Sequence, residues 1–569
     1  MKYIPSIDWI TNYKKSWLGG DITAGLTVGV MLIPQGMAYS MLAGLPPIYG
    51  LYAVTLPLII YALFGTSRQL AVGPVAMVCL LIASGVGQLA TSGSDEYIRL
   101  AILLALMVGL IQFLMGVFRL GFLVNFLSHP VIAGFTSAAA VIIGFSQFKH
   151  LLGLKTDGEN LFRIVAQLWN QLGNIHYLTF FMGLISIIML VMVKKIHKKL
   201  PGTLLVVLLG ILVVYFGGWQ DAGVKIVGEI PQGLPAFGLP FIDFGLMKDL
   251  LPTALTISFV GFIESIAVAK AIQTRHKDYT LDSNQELISL GLANIVGSFF
   301  KSFPVTGGFS RTAVNDQAGA KTGLASLISA ALIIFTLLFL TSWFYFLPNT
   351  VLAAIILVAV FGLIDFKEAR HLWHTDKTDF MLFIAAAVAT LVLGIEEGIL
   401  LGITLSIALL IYRVSYPHIA ELGKMTDGVT FRNIERFKEV TIDDHIIIMR
   451  FDAPLYFANL NYFRDKVLDL ISKRKQTRYF ILDASPVSTV DSSAMHMLVD
   501  LITELRYSGV SFLISNMIGP VRDTMTKGGV IELIGKEHCF ISVFDAYEFA
   551  NRNADNRFFD YATQSFIKH

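Results

Sequence analysis

The chain has 569 residues, 55% of them hydrophobic, and a mean hydropathy of +0.67, which excludes an ordinary soluble protein of this length. Lys and Arg number 43 against 41 Asp and Glu, and this net charge of +2 is too even for a nucleic-acid partner. Two cysteines, Cys79 and Cys539, fall in regions of different composition and exclude a disulfide framework.

Up to about Pro417 apolar blocks dominate. From Lys424 onward charges are dense, and no run reaches the roughly 18–20 residues needed to span hydrocarbon. The expected organisation is a transmembrane transport domain over 1–420 and a second domain over 424–569. The N-terminus lacks a charged-then-apolar leader with a small-residue cleavage site, so the first helix is expected to be retained.

Apolar segments fall near 22–43, 47–64, 72–90, 98–117, 121–147 (interrupted at His129-Pro130), 178–193, 203–218, 250–271, 286–301, 309–319, 323–346, 350–364, 379–394 and 398–414. About fourteen segments divide into two sets of seven, over about 20–218 and 249–415. A repeat with an odd number of crossings enters the membrane inverted the second time, so the expected fold is a polytopic α-helical inverted repeat.

Basic residues cluster in alternate loops: Lys14-Lys15, Arg68, Arg119, Lys194-Lys195 with Lys198-Lys199, Arg275 with Lys277, Lys321, Arg370 and Arg413. The opposite loops hold Asp95-Glu96, Asp157 with Glu159, Asp221 with Glu229, and Glu396-Glu397, together with Lys149, Lys155, Arg163 and Lys225. The positive-inside rule then puts both termini, and the C-terminal domain, in the cytoplasm of a cell inner (plasma) membrane protein.

Two segments are broken at corresponding places in the two sets. Val72-Gly73-Pro74-Val75-Ala76 interrupts the third and Thr306-Gly307-Gly308-Phe309-Ser310 the tenth, just after Pro304. Proline cannot continue a helix and glycine lets the backbone unwind, so a new half-helix is expected over Ser310–Gln317. Irregular backbone at membrane depth is tolerated where it is buried in protein or lines a cavity, and free helix N-termini there cradle an anion. Paired interruptions of this kind mark a transporter's binding site.

Several side chains could carry the chemistry. Glu264 lies near the middle of the eighth segment, where a carboxylate is costly unless it faces a cavity, finds a partner or takes a proton. That suits a proton carrier, and a fixed ion pair or a hydrogen-bonded acid with no cycle of protonation is the structural alternative. Ser310 offers a hydroxyl and a backbone N–H. Arg311 brings positive charge beside the site, and contact with substrate, a pair with Glu264 and support of the half-helix are all open to it. Gly73, Val75 and Ala76 offer backbone donors and a small apolar wall. Gln35 and Tyr39, four apart, share one face of the first helix. Gly25 and Gly29 have the spacing of a close helix contact. His371 and His374 sit with Trp373 in a loop, and no metal site is expected there.

The stretches Ile33-Pro34-Gln35-Gly36-Met37-Ala38-Tyr39, Ala43 to Tyr52, Phe64-Gly65-Thr66-Ser67-Arg68 and Ser310-Arg311 resemble the sulfate permease (SulP) family of anion transporters. The resemblance covers nearly the whole chain. It implies seven-plus-seven inverted repeats split into core and gate domains, an anion held between the third and tenth segments, and a homodimer. By this resemblance the substrate-binding set is Gln35, Tyr39, Gly73, Val75, Ala76, Gly308, Phe309, Ser310 and Arg311, with Glu264 as a cation-coupling acid and no other cofactor; a Glu rather than an Asp there points to H⁺ rather than Na⁺.

In the tail, 446–451, 479–483 and 510–515 read as buried strands, and Ser492–Tyr507 as an amphipathic helix capped by Asp491 or Ser492. The block Asp483-Ala484-Ser485-Pro486 with Val490-Asp491-Ser492-Ser493-Ala494 resembles the STAS domain. Ser492 and Ser493 are candidate phosphorylation sites by that resemblance, and helix caps by their position. The tail is expected to stabilise a dimer or bind a cytoplasmic regulator. The function expected is secondary transport of a small anion, with sulfate first and bicarbonate or a dicarboxylate behind it. A passive exchanger or channel and a Na⁺-coupled bicarbonate carrier are the alternatives. An enzyme is not expected.

Overall fold

The computed structural model describes residues 4–122, 128–154, 161–196, 202–273, 275–276 and 279–554. Of the loop charges noted above, Lys155, Asp157, Glu159, Lys198, Lys199 and Lys277 lie outside the described residues, as do the side chains of Lys194 and Glu396. Contacts divide the chain into two compact units, Met1–Ser406 and Ile407–His569.

The first set of segments comprises a short α1 (Ser6–Thr11), then α2 (Leu18–Leu42), α3 (Pro47–Tyr52) with α4 (Leu56–Phe64), β1 (Val72–Gly73) with α5 (Ala76–Gly87), α6 (Asp95–Val117), α7 (His129–Leu152), a surface helix α8 (Leu161–Asn170), α9 (Tyr177–Ile196) and α10 (Gly202–Gly217). The second set comprises α11 (Phe244–Gln273), α12 (Ser283–Phe299), β2 (Thr306–Gly307) with α13 (Phe309–Gln317), α14 (Leu324–Phe339), α15 (Asn349–Phe361), a surface helix α16 (Phe366–Thr375), α17 (Lys377–Val392) and α18 (Ile395–Ser415). Among the described residues, six helical stretches are long and apolar enough to cross a bilayer on their own. The two half-helices, 12 and 9 residues long, are not among them.

Helices α2, α4, α5 and α6 pack with α11 to α14, while α7, α9 and α10 pack with α15 and α17. These groups are the core and gate halves of the unit. Corresponding strands of the two sets, β1 and β2, pair antiparallel, as inversion of one set against the other requires. Gly25 and Gly29 do make a close helix contact. A Cβ on Gly25 would lie 2.6 Å from the carbonyl oxygen of Ala325, and one on Gly29 2.9 Å from the Leu332 side chain, so both glycines let α2 lie against α14.

One local expectation holds and two change. The fifth segment does break at His129-Pro130: Ser128 is in extended backbone and α7 starts at His129, with Pro130 in its first turn, where the missing N–H of proline would be unpaired anyway. The half-helix after the second break starts one residue early, at Phe309. His371, Trp373 and His374 are not in a loop. They lie on α16, whose N-cap Asp365 accepts from the N–H of Glu368 at 2.9 Å.

The second unit is built on β3 (Ile419–Met425), β4 (Phe431–Asn433), β5 (Val440–Thr441), β6 (Ile446–Phe451), α19 (Leu460–Lys473), β7 (Tyr479–Asp483), α20 (Ser492–Tyr507), β8 (Ser511–Ser515), α21 (Gly519–Lys527), α22 (Val530–Ile534), β9 (Cys539–Phe540) and α23 (Val543–Ala554). Strands run β4-β3-β6-β7-β8-β9, with β6 to β9 parallel and β3 antiparallel to β6, while β5 pairs with β3. The period of two puts Ile447, Met449, Phe480, Leu482 and Ile514 on one face against Phe463, Leu498 and Leu501. Ile446, Ile448, Ile481 and Leu513 face the other way, against Val543, Ala546 and Ala550. Both faces of the sheet are therefore covered, which explains why its strands read as unbroken apolar runs. Asp491, not Ser492, caps α20 through the N–H of Ala494 at 2.8 Å. Ser492 and Ser493 are exposed in its first turn.

Candidate functional site

The two broken segments meet. Val72 stands opposite Gly307 and Gly73 opposite Thr306, so the half-helices leave this short ladder at opposite ends. Val75 is the N-cap of α5 and Gly308 that of α13, both in extended backbone and neither with a side-chain cap. The first-turn N–H groups of both helices therefore have no intrahelical partner and no cap. Each N-terminus carries the positive end of its helix dipole, equivalent to roughly half an elementary charge.

Arg311 completes the positive character of the place. Its side chain is 1% exposed, and Nη1 donates to the carbonyl oxygen of Pro74 at 2.6 Å, with Gln35 Oε1 at 3.5 Å. Nε and Nη2 are buried with no hydrogen-bond partner among the described residues. A Cβ on Gly308 would lie 2.8 Å from Nη2 and one on Gly73 3.4 Å from it, so the guanidinium sits between the two glycines that break the helices. An unsatisfied buried donor costs about 1–3 kcal/mol, more when charged. A buried guanidinium with two such donors can take up an acceptor.

The wall comes from α2. Gln35 Nε2 donates to the hydroxyl of Tyr39 at 3.2 Å, and both side chains are buried. The i, i+4 spacing thus brings them together, with the Gln35 carboxamide turned to Arg311. Val75 and Ala76 are buried at the start of α5, whereas Phe309, 60% exposed, and Ser310 lie open at the start of α13. Glu264 is half-buried on α11, and its Oε2 has no hydrogen-bond partner among the described residues. It forms no ion pair with Arg311, though the two are within electrostatic reach. Of the roles left open for Arg311, the direct pair with Glu264 is not formed, and its hydrogen bond runs instead to Pro74, beside the other break.

Two further carboxylates hold the loops that flank the crossing, a role their local sequence does not show. Asp21, in the first turn of α2, accepts from the N–H groups of Lys321 and Thr322 (2.7 and 3.0 Å) and from the hydroxyls of Thr322 and Tyr13 (2.7 and 3.1 Å). Glu286, in the first turn of α12, accepts from the N–H groups of Thr66 and Ser67 (2.7 and 3.0 Å) and from the hydroxyls of Thr66 and Tyr61 (2.5 and 2.6 Å). The donor sets match, and each ties down a loop adjoining one half-helix segment. Acidic residues at the ends of apolar helices were the available signal.

Helices crossing a bilayer, two inverted sets of segments and a buried arginine where their breaks meet define a membrane transporter, not an enzyme. The comparisons agree. The description of the sulfate permease family matches residues 18–386, and that of the STAS domain residues 437–547. The chain is 42% identical over 564 residues to the chloroplastic sulfate transporter 4.1 of Arabidopsis thaliana, covering 96% of this chain and 82% of that one. It is 33% identical over 573 residues to high affinity sulfate transporter 2 of Stylosanthes hamata, covering 96% and 86%. The murine Solute Carrier 26 family member A9 anion transporter, solved in its inward-facing state, superposes with a TM-score of 0.89 at 29% identity, covering 97% of this chain and 94% of that one. The chain belongs to the sulfate permease family and carries that family's C-terminal STAS domain.

Proposed function

We propose that this protein is a secondary active transporter of a small oxyanion, sulfate first, moving it together with H⁺ by alternating access of the core against the gate. The observation that carries this reading is Arg311, buried with two unpartnered donors between the glycines of two uncapped half-helices. A tetrahedral dianion supplies the acceptors those donors lack, and the helix N-termini and the N–H of Ser310 add further bonds. The binding set is Gln35, Tyr39, Gly73, Val75, Ala76, Gly308, Phe309, Ser310 and Arg311. Phe309 and Ser310, exposed at the start of α13, form its open side. Relatives named as sulfate transporters support sulfate over bicarbonate or a dicarboxylate.

Glu264 is the proton carrier in this reading. Its unpartnered oxygen, close to but not paired with Arg311, can bind and release a proton without breaking a structural ion pair. A proton on Glu264 offsets part of the charge the anion brings into a region of low dielectric.

Residues 1–420 form the transport domain, with repeats over about 20–218 and 249–415, and residues 424–569 the STAS domain. The positive-inside distribution supports a plasma-membrane protein with both termini cytoplasmic. The STAS domain serves a homodimer or a cytoplasmic regulator, and exposed Ser492 and Ser493 are open to a kinase.

The test is uptake of a panel of labelled anions by the purified protein in proteoliposomes, with H⁺ or Na⁺ gradients imposed separately. Sulfate accumulation driven by an inward H⁺ gradient is expected. Uptake driven by Na⁺ and indifferent to pH removes the coupling assignment.

A further inference from the structure

The two strands of the crossing are held in different ways. On the β2 side, the Val305 peptide forms a two-bond pair with the carboxamide of Asn294: its N–H donates to Oδ1 at 2.8 Å and its carbonyl accepts from Nδ2 at 3.0 Å. Asn294 is itself tied to Gln112 Oε1 of α6 at 3.1 Å. Thr306 Oγ1 donates to the Gly261 carbonyl at 2.6 Å and lies 2.6 Å from Ser265 Oγ. Ser265 Oγ in turn accepts from the N–H of Gly307 at 2.8 Å. Strand β2 is thus mounted on α11 and α12.

Strand β1 is held by α13. Arg311 donates to the Pro74 carbonyl, Thr312 Oγ1 accepts from the Ala71 N–H at 3.1 Å, and Asn315 Nδ2 donates to the Gln69 carbonyl at 2.8 Å. The Gly308 N–H adds a bond to the Ala71 carbonyl at 3.1 Å. Arg311, Thr312 and Asn315 are all buried, so these bonds are not shared with water. A shift of β2 and α13 therefore carries the start of α5 with it, and the two N-termini move as one body.

The mount on α11 stands directly beside Glu264. The charged and titratable groups facing Glu264 from the packed elements are Arg311 on α13, Tyr39 on α2 and Cys79 on α5, all belonging to the crossing or its wall. Resting on the reading of Glu264 as the proton carrier, we propose that Ser265 is the positioning residue through which the charge state of Glu264 reaches the anion site. Adjacent residues of one helix cannot shift independently, so a movement of α11 that accompanies protonation of Glu264 displaces Ser265 Oγ. The N–H of Gly307, β2 and the N-terminus of α13 follow, and α5 follows through Arg311, Thr312 and Asn315. Small helix shifts at a packed contact are an established way to pass such a change on.

The experiment uses the full chain in proteoliposomes and labelled sulfate, comparing wild type with Ser265→Ala, Ser265→Thr and Thr306→Val. Two quantities are read: the ratio of uptake with and without an inward H⁺ gradient, and KM in counterflow at equal pH on both sides. Ser265→Ala is expected to bring the ratio close to one and raise KM roughly tenfold, because a buried N–H loses its acceptor. Ser265→Thr, which keeps the hydroxyl, retains both wild-type values. Thr306→Val, which leaves the bond from Gly307 to Ser265, shifts both in the same direction but less. A Ser265→Ala protein with wild-type ratio and KM, even if less of it folds, overturns the inference. A wild-type ratio of one overturns the proton-coupling reading itself, which is a different result.

Discussion

Arg311 donates to the carbonyl oxygen of Pro74 at 2.6 Å, across 237 positions of sequence. One bond thereby joins the two interruptions that break the third and tenth membrane segments. It uses one corner of the guanidinium and leaves Nε and Nη2 without partners. The same side chain is a structural tie on one edge and, in the proposed function, the anion's receptor on the other, so its replacement should affect binding before folding.

Gly308→Ala tests the space around that guanidinium. The added Cβ would lie 2.8 Å from Nη2 and 2.9 Å from Cζ, so the side chain has to move. Gly308 has φ of −100°, which alanine adopts without strain, so the effect is steric and local. The expected outcome is a KM for sulfate raised on the order of tenfold, about 1.4 kcal/mol, with thermal stability nearly unchanged.

Glu264→Gln keeps the shape of the side chain and removes its titration. Uptake by wild type should rise when the outside is made acidic relative to the inside. In the variant that stimulation should vanish while exchange of sulfate for sulfate at equal pH persists. Parallel measurements of gradient-driven uptake and counterflow separate the two effects. A variant that still responds to the gradient assigns the proton to another group.

Much of this site is readable in the sequence because its signals are local. Gly73-Pro74 and Gly307-Gly308 announce broken helices wherever they occur in apolar segments. Gln35 and Tyr39 share a face by helical spacing alone. The strands of the C-terminal unit show as apolar runs because both faces of its sheet are covered. What stays hidden is the register between distant segments. Nothing near Asn294 says that its carboxamide pairs with the Val305 peptide, and nothing near Arg311 says that Pro74 is its partner. Asp21 and Glu286 look like ordinary helix-end acids until the loops they grip are seen.

The C-terminal unit offers a pH test independent of transport. Burial pushes the Asp452 carboxyl up, but the hydrogen bonds and charges of Arg450 and His418 outweigh it and hold the group below the usual carboxylate range. The contacts are 2.6 and 3.0 Å from Arg450 and 2.8 Å from His418. A folded-state pKa below the unfolded one gives stability that is fully present above the unfolded value, near 4, and is lost as pH falls through the folded value. Asp452→Asn should therefore lower the melting temperature of this unit at neutral pH, by an amount equivalent to about 1 kcal/mol or less for a partly exposed pair. The gap from wild type should close on acidification below about pH 4. Calorimetric scans of both proteins across that range check it.

Equilibrium binding of labelled sulfate to the purified full-length protein and to Arg311→Ala, at one fixed salt concentration, decides where the anion sits. Removing a buried, charged donor set is expected to weaken binding on the order of 100-fold. Arg311→Lys, which keeps the charge but not the planar fork, should fall between the two. Sulfate bound by Arg311→Ala as tightly as by wild type would contradict the placement of the anion at the crossing of the two half-helices.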